Sequence, residues 1–190
     1  MLKPFAFFLL TLLPLHADTG GKIVAAARKQ IGVTTSYGPD YVALSFPNGD
    51  VPRAGGVCTD VVIRALRDGL SKDLQKLVNE DMRGNFSVYP KNWGLAKPDK
   101  NIDHRRVPNL RVFFKRKGFE QAAPKAGDVP KFLPGDIVTC TVAKTLPHVM
   151  IVSDHKTPDG RPMVIHNIGG GAREEDRLLE FPLTGHYRVK

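Results

Sequence analysis

The chain has 190 residues, with 28 lysines and arginines against 19 aspartates and glutamates, which gives a formal net charge of +9. This length is that of one domain with an ordinary hydrophobic core. The positive excess favours an anionic partner such as peptidoglycan or another wall polymer, a membrane surface or nucleic acid. The basic residues are spread along the chain without a DNA- or RNA-binding signature, so we expect no nucleic-acid partner.

Residues 1–17 have the layout of a secretory signal peptide. Lys3 precedes an apolar run from Phe5 to Leu15, and Ala17 precedes a polar Asp-Thr-Gly-Gly segment, which predicts cleavage after Ala17. A buried N-terminal helix is the alternative, but two prolines interrupt the run. No cysteine stands near the cut to carry a lipid anchor, and no later segment approaches the ~20 apolar residues of a transmembrane helix. We therefore expect a periplasmic or secreted protein whose residues 18–190 form a single domain.

The next hundred residues carry helical signals. Apolar residues recur at helical spacing in four segments, three of which stop at a glycine. Ser71 is the predicted N-cap of the third segment. The four predicted helices are KIVAAARKQ (22–30, before Gly32), CTDVVIRALRDG (58–69), SKDLQKLVNEDM (71–82) and LRVFFKRKG (110–118).

After Pro134-Gly135 the pattern changes to the alternation of β-strands. Runs rich in β-branched residues are separated by turn residues, which predicts strands at DIVTCTV (136–142), HVMIVSD (148–154), PMVIHNI (162–168) and HYRVK (186–190). Helices first and an antiparallel sheet second is an α+β arrangement.

The second and third predicted strands bring two histidines together. If the intervening turn is centred near Thr157, His148 and His166 are directly opposed and share one sheet face. A slip of one residue would turn Asn167 to that face instead, because side chains alternate. The identity of this third polar group is therefore open between His166 and Asn167.

Cys58, one of two cysteines in the chain, opens the second predicted helix. Unpaired N–H groups and the helix dipole favour an anion at this position, which predicts a lowered thiol pKa. A nearby imidazole could take the thiol proton, and a second polar group could hold that imidazole in place. We assign Cys58 as nucleophile, His148 as base and His166 as orienting group, with the Cys58 N–H as oxyanion donor.

Seven blocks in order resemble the bacterial domain-of-unknown-function family 1287, which is similar to the NlpC-type and amidase branches of the papain-like cysteine peptidases. The blocks are GDVP, GVCTDVVIRALR, NIDHRRVPNL, PGDIV, HVMIVSD, VIHNIGGG and TGHYR, and the resemblance as a whole runs from about Ile23 to Tyr187. The resemblance implies a papain-like, NlpC-type α+β fold and the same triad of Cys58, His148 and His166. It also implies hydrolysis of peptide or amide bonds in peptidoglycan, without a cofactor or metal.

Candidate substrate-binding residues surround this triad. NlpC-type enzymes often carry a tyrosine about twelve residues before the cysteine; here that position is Phe46, and Tyr41 or Tyr37 could substitute. Asp60 either caps its helix or binds a substrate ammonium. His104 and Arg105, with the adjacent Arg106, could bind wall carboxylates or form a packed loop. Asn167 is the further candidate.

Three alternatives remain open at this stage. Cysteine and two histidines could bind zinc, although no closely spaced ligand pair is present. Cys58 and Cys140 could form a disulfide, which would remove the nucleophile. The domain could also be a wall-binding module that has the fold without the chemistry. The sequence leaves the cleaved bond, hydrolysis against transfer, and the oligomeric state open.

Overall fold

The computed structural model describes residues 15–122 and 131–190. All but the last three residues of the predicted signal peptide lie outside these ranges. None of the helices within them has the length and apolarity needed to cross a membrane. The elements confirm an α+β arrangement of helices followed by an antiparallel sheet.

Four helices precede the sheet, and all four lie where the sequence predicts them, with shifted ends. They are α1 (Leu15–Arg28), α2 (Cys58–Leu70), α3 (Leu74–Asn85) and α4 (Val107–Arg116), with short 3₁₀ turns at Phe86–Val88 and Asp103–Arg105. Ser71 is not the N-cap of α3. It ends α2 in the left-handed conformation with φ 56°, and Asp73 caps α3 by accepting the Gln75 N–H.

Gly69 has a different role from the predicted helix stop. It lies inside α2, and a Cβ atom there would stand 2.7 Å from the carbonyl oxygen of Lys22. Only glycine therefore allows α1 to pack this closely on the last turn of α2. Replacement by alanine would force the two helices apart.

Five antiparallel strands form one sheet in the spatial order β4-β3-β2-β1-β5. They are β1 (Ile137–Val142), β2 (Leu146–Lys156), β3 (Pro162–Asn167), β4 (Ala172–Glu175) and β5 (Leu183–Tyr187). The sequence did not predict β4. It is a short edge strand that follows a turn through Gly169 and Gly171, both at positive φ.

The sheet is covered on both faces, because its strands alternate between two buried apolar clusters. Val149, Ile151 and Ile165 pack with α1, α2 and α4 in the larger cluster. Residues of the opposite parity pack in a smaller cluster on the other face, namely Phe132, Val138, Cys140, Met150, Val152, Val164 and Leu178. By the same alternation, the side chains of His148 and His166 lie on the same sheet face as those of Met150 and Val164.

The register between β2 and β3 differs from the predicted one by two residues. Ile151 pairs with Ile165, and a bulge lies between Val152 and Lys156. His148 and His166 are therefore diagonal rather than directly opposed neighbours. A shift of two residues preserves the face, so the prediction that the histidines share one face is confirmed, and Asn167 points to the other.

Candidate active site

Cys58 is the first residue of α2, and the sequence around it fixes how the helix begins. The Asp60 carboxylate accepts the Val57 N–H at 2.7 Å, which satisfies one of the unpaired donors of the helix start. This confirms the helix-cap interpretation of Asp60. Gly56 has no room for a side chain, because a Cβ atom there would lie 3.1 Å from the Asp60 Cβ.

The Cys58 thiol is almost fully buried, with 4% of the residue exposed. Burial raises the thiol pKa to about 11, against hydrogen bonds from the Val149 N–H, the Thr59 N–H and the Tyr37 hydroxyl that favour the thiolate. The prediction of a lowered pKa is therefore wrong for this arrangement, because loss of hydration outweighs the donors at the helix start. The resting thiol is protonated at neutral pH.

A hydrogen-bonded relay begins at His148. Its Nε2 lies 2.8 Å from the Nδ1 of His166, whose Nε2 lies 3.1 Å from a carboxylate oxygen of Glu175. Burial lowers the pKa of His148 to about 3, and the neighbouring His166 lowers it further. Burial also lowers the pKa of His166, while its bond to Glu175 opposes that shift. Both imidazoles are neutral at pH 7.

The Cys58 thiol is hydrogen-bonded to the residue that follows the first histidine of this relay. Val149, which donates its N–H to the Cys58 sulfur, directly follows His148. A main-chain N–H points within the plane of the sheet, so the sulfur lies level with the start of β2. The hydrogen bonds within the described residues engage Nε2 of His148 and not Nδ1, and none joins the imidazole directly to the thiol.

A cleft of about 620 Å³ opens in front of Cys58. This volume is typical of sites for small molecules or short peptide segments. Tyr37, Tyr41 and Trp93 contribute aromatic surface to its wall, and Pro147, the residue before His148, lies at its edge. The cleft therefore leads a ligand to the nucleophile and to the start of β2.

Comparison with known proteins identifies a family that covers most of the chain. The model of the family described as "Domain of unknown function (DUF1287)" matches residues 24–189. The chain belongs to the DUF1287 family. It is also 50% identical over 178 residues to a protein of Escherichia coli K12 named "Uncharacterized protein YijF", a match that covers 94% of this chain and 85% of the relative.

Of the two tyrosines considered, the one that contacts the nucleophile in this DUF1287 protein is Tyr37. Burial and the charge of Cys58 raise the pKa of Tyr37 to about 12, so its hydroxyl remains a donor to the sulfur. Tyr41 lines the outer cleft and is 59% exposed. Its hydroxyl bonds to Asp99 and Asn101, so Tyr41 remains a candidate for substrate contact.

Asp60 and Arg105 are not free to bind substrate, contrary to our expectation. The guanidinium of Arg105 donates to both oxygens of Asp60 at 3.0 and 2.9 Å, and also to the carbonyl oxygens of Asp40 and Gly38. Both side chains are buried, with 2% and 4% exposed. The pair therefore fastens the loop that carries Tyr37 to the first turn of α2.

His104 and Asn167 are likewise structural rather than ligand-facing. His104 is buried, and burial lowers its pKa to about 4, so it offers no positive charge to a carboxylate at neutral pH. The Asn167 amide donates to the carbonyl oxygens of Ser36 and Gly56. Its oxygen accepts the N–H groups of two glycines in the β3–β4 turn. His166, not Asn167, is thus the group that contacts His148.

The structure also bears on the zinc and disulfide alternatives. Nε2 of His148 and Nδ1 of His166 face each other, so these two nitrogens do not converge on a shared ion with Cys58. Within the described residues, three ligand atoms lie within 4.8 Å of one another only at Asp154, His155 and Glu174. There the Arg28 guanidinium already supplies the positive charge. Cys58 and Cys140 are both free thiols.

Sequence reasoning missed Glu175. The pairing of Val164 with Glu175 places this carboxylate diagonal to His166 on the same sheet face. The available signal was the turn predicted by three glycines, because the AREE stretch that follows has one apolar residue and no alternation. A charged edge strand lacks the β-branched residues that made the other strands recognisable.

Proposed function

We propose that this protein is an exported, papain-like cysteine hydrolase that cleaves peptide or amide bonds in peptidoglycan. The observation that carries the proposal is the set of contacts around Cys58, a thiol at a helix start. Its sulfur is hydrogen-bonded to Val149, the residue after His148. His148 is in turn hydrogen-bonded to His166, and His166 to the carboxylate of Glu175. This is the order of nucleophile, base and orienting groups that acyl-transfer chemistry requires.

The reaction starts from a neutral thiol and a neutral imidazole. As the Cys58 sulfur attacks the substrate carbonyl carbon, His148 takes the thiol proton, and the carbonyl oxygen becomes an oxyanion. The Cys58 N–H, unpaired by its position in the first turn, is the donor closest to that oxygen. His148 then delivers its proton to the departing amine nitrogen as the C–N bond breaks. Water attacks the thioester carbon as His148 accepts one of its protons. The C–S bond then breaks, His148 returns the proton to the Cys58 sulfur, and the acid product leaves.

Peptidoglycan is the substrate favoured by three independent features. The predicted signal peptide directs the chain out of the cytoplasm, to the periplasm or beyond. The net charge of +9 favours association with an anionic polymer. The family resemblance is to NlpC-type enzymes that act on this material. The cleft also has the volume of a short peptide segment rather than of a folded protein.

The decisive experiment is release of soluble fragments from purified sacculi, measured by mass spectrometry, with protein that lacks residues 1–17. We expect the unmodified protein to release peptides with new amino and carboxyl termini, and Cys58→Ser to release none. Cys140→Ala is the matched control, because it removes the other thiol of the chain, which lies across the β1–β2 pair from His148 and does not line the cleft, and it should retain activity.

Three results would contradict the proposal. Equal fragment release by Cys58→Ser would exclude the thiol as nucleophile. Stable binding to sacculi by both proteins, with no fragments from either, would favour the wall-binding module without chemistry. New ends that carry an added amine in place of a free carboxyl would indicate transfer rather than hydrolysis.

A further inference from the structure

The charged residues that line the cleft in front of Cys58 are all positive. Among the described residues that line it are two arginines, Arg105 and Arg106, and no aspartate or glutamate. A cleft with positive groups and no compensating acid in its wall attracts an anionic ligand. The two arginines differ in how many of their N–H donors are already hydrogen-bonded within the fold.

Arg105 has at most one N–H group left for a ligand, because four of its five are hydrogen-bonded within the fold. Its guanidinium is bound to both oxygens of Asp60 and to two main-chain carbonyls, and 2% of the side chain is exposed. It contributes to the cleft wall as packed surface. Removing its partners would be required before it could bind a carboxylate through two hydrogen bonds.

Arg106 is only partly committed. One of its nitrogens, Nη1, donates to Asp103 at 2.9 Å, and 16% of its side chain is exposed. A guanidinium carries five N–H donors, so donors remain after this one bond. Its central carbon lies 4.0 Å from the ring centroid of Trp93, so the guanidinium is in cation–π contact with the indole. Both Arg106 and Trp93 line the cleft that contains Cys58.

We propose that Arg106, in cation–π contact with Trp93, is the subsite that binds a free carboxylate of the substrate. The proposal rests on the hydrolase function above and narrows it to peptides with an unmodified carboxyl group near the scissile bond. A planar guanidinium held in place binds a carboxylate through two parallel hydrogen bonds, which a carboxamide cannot reproduce. The contact with Trp93 reduces the side-chain freedom that binding would otherwise have to remove.

Trp93 provides a direct probe, because it is the single tryptophan of the chain. Cys58→Ala protein is titrated with stem peptides released from peptidoglycan, with their carboxyl groups free, and with the same peptides after conversion of those groups to carboxamides. Tryptophan fluorescence reports binding. We expect the free acids to bind at least about tenfold more tightly than the amides, since hydrogen bonds to charged groups are the stronger ones.

Arg106→Gln should remove this preference, and Arg106→Lys should retain part of it through charge alone. Arg111→Gln, in the helix that Arg106 caps, is the matched control, since the Arg111 side chain donates to the Thr184 carbonyl outside the cleft, and it should keep the full preference. The acid and amide comparison on protein with Arg106 intact stands even if Arg106→Gln fails to fold.

The outcomes separate this inference from the proposed function. Equal binding of acid and amide, no binding of either, or a preference that survives Arg106→Gln would overturn the subsite, whether or not sacculi are cleaved. A preference that depends on Arg106 in a protein that releases no fragments would support the subsite and count against the hydrolase.

Discussion

Polar groups approach Cys58 from two sides, and the two sets differ in character. On the helix side, Asp60 and Arg105 form a buried ion pair in which both carboxylate oxygens and four of the five guanidinium N–H groups are hydrogen-bonded. On the sheet side, His148 and His166 are neutral at pH 7, and the hydrogen bonds described for His148 engage one of its two nitrogens. An almost saturated ion pair fixes geometry, whereas a neutral base with a nitrogen to spare can accept a proton.

The largest effect that tests this contrast is loss of turnover on the sheet side. We expect His148→Ala to reduce peptidoglycan cleavage by about 10²- to 10⁴-fold, the contribution typical of a general acid-base group. The free energy of unfolding should change little, because the variant removes an imidazole rather than an ion. Rates are compared with Cys58→Ala as the zero point, and chemical denaturation measures stability. Full activity of His148→Ala would refute its assignment as base.

The helix side should respond in the opposite way, through stability. Asp60→Ala leaves Arg105 buried without its counterion, and we expect a loss of about 3–5 kcal/mol in the free energy of unfolding. The double variant Asp60→Ala/Arg105→Met should recover much of that loss, because no unpaired charge remains. Urea denaturation of both variants measures the difference. A double variant no more stable than Asp60→Ala alone would show that the pair does more than neutralise its own charges.

The same contrast marks how far the sequence could be interpreted. Cys58, His148 and His166 were predictable because a helix start and strand alternation are local patterns. The Asp60–Arg105 pair joins residues 45 positions apart, and no local pattern encodes that contact. The register error came from the position of the turn, because the pairing of Lys156 with Pro162 centres the hairpin on Asp159 rather than Thr157, and the bulge between Val152 and Lys156 offsets part of that difference. The thiol pKa was predicted with the wrong sign because a sequence shows helix position but not burial.

A smaller effect should separate the members of the sheet-side relay. His166→Ala should lower kcat by about 10- to 100-fold, the range seen when a ligand histidine at a metal site loses its orienting partner, and His166→Gln should retain more activity. Glu175→Gln should cost less still, since Glu175 contacts His148 only through His166.

The pH profile of kcat/KM distinguishes orientation from mere folding support for Glu175. Its bond and charge favour protonated His166, so Glu175→Gln should lower the pKa of His166 further and displace the acid limb of the profile to lower pH. An unchanged profile with reduced activity would assign Glu175 a structural role only.

The smallest expected effect concerns His104, which belongs to the helix side but is neutral like the sheet-side histidines. Its folded pKa of about 4 lies below the 6.5 of an ordinary histidine, so the unfolded chain binds the proton more readily. Stability is therefore unaffected above about pH 6.5 and falls as the pH drops toward 4. At pH 5 the loss from this one group is on the order of 2 kcal/mol.

His104→Gln should lose that much less stability between pH 7 and pH 5 than the unmodified protein, whereas the exposed His155→Gln should match it. Equal acid sensitivity of His104→Gln and the unmodified chain would mean that His104 is already protonated in the fold, and the helix side would then carry a second cation beside Arg105.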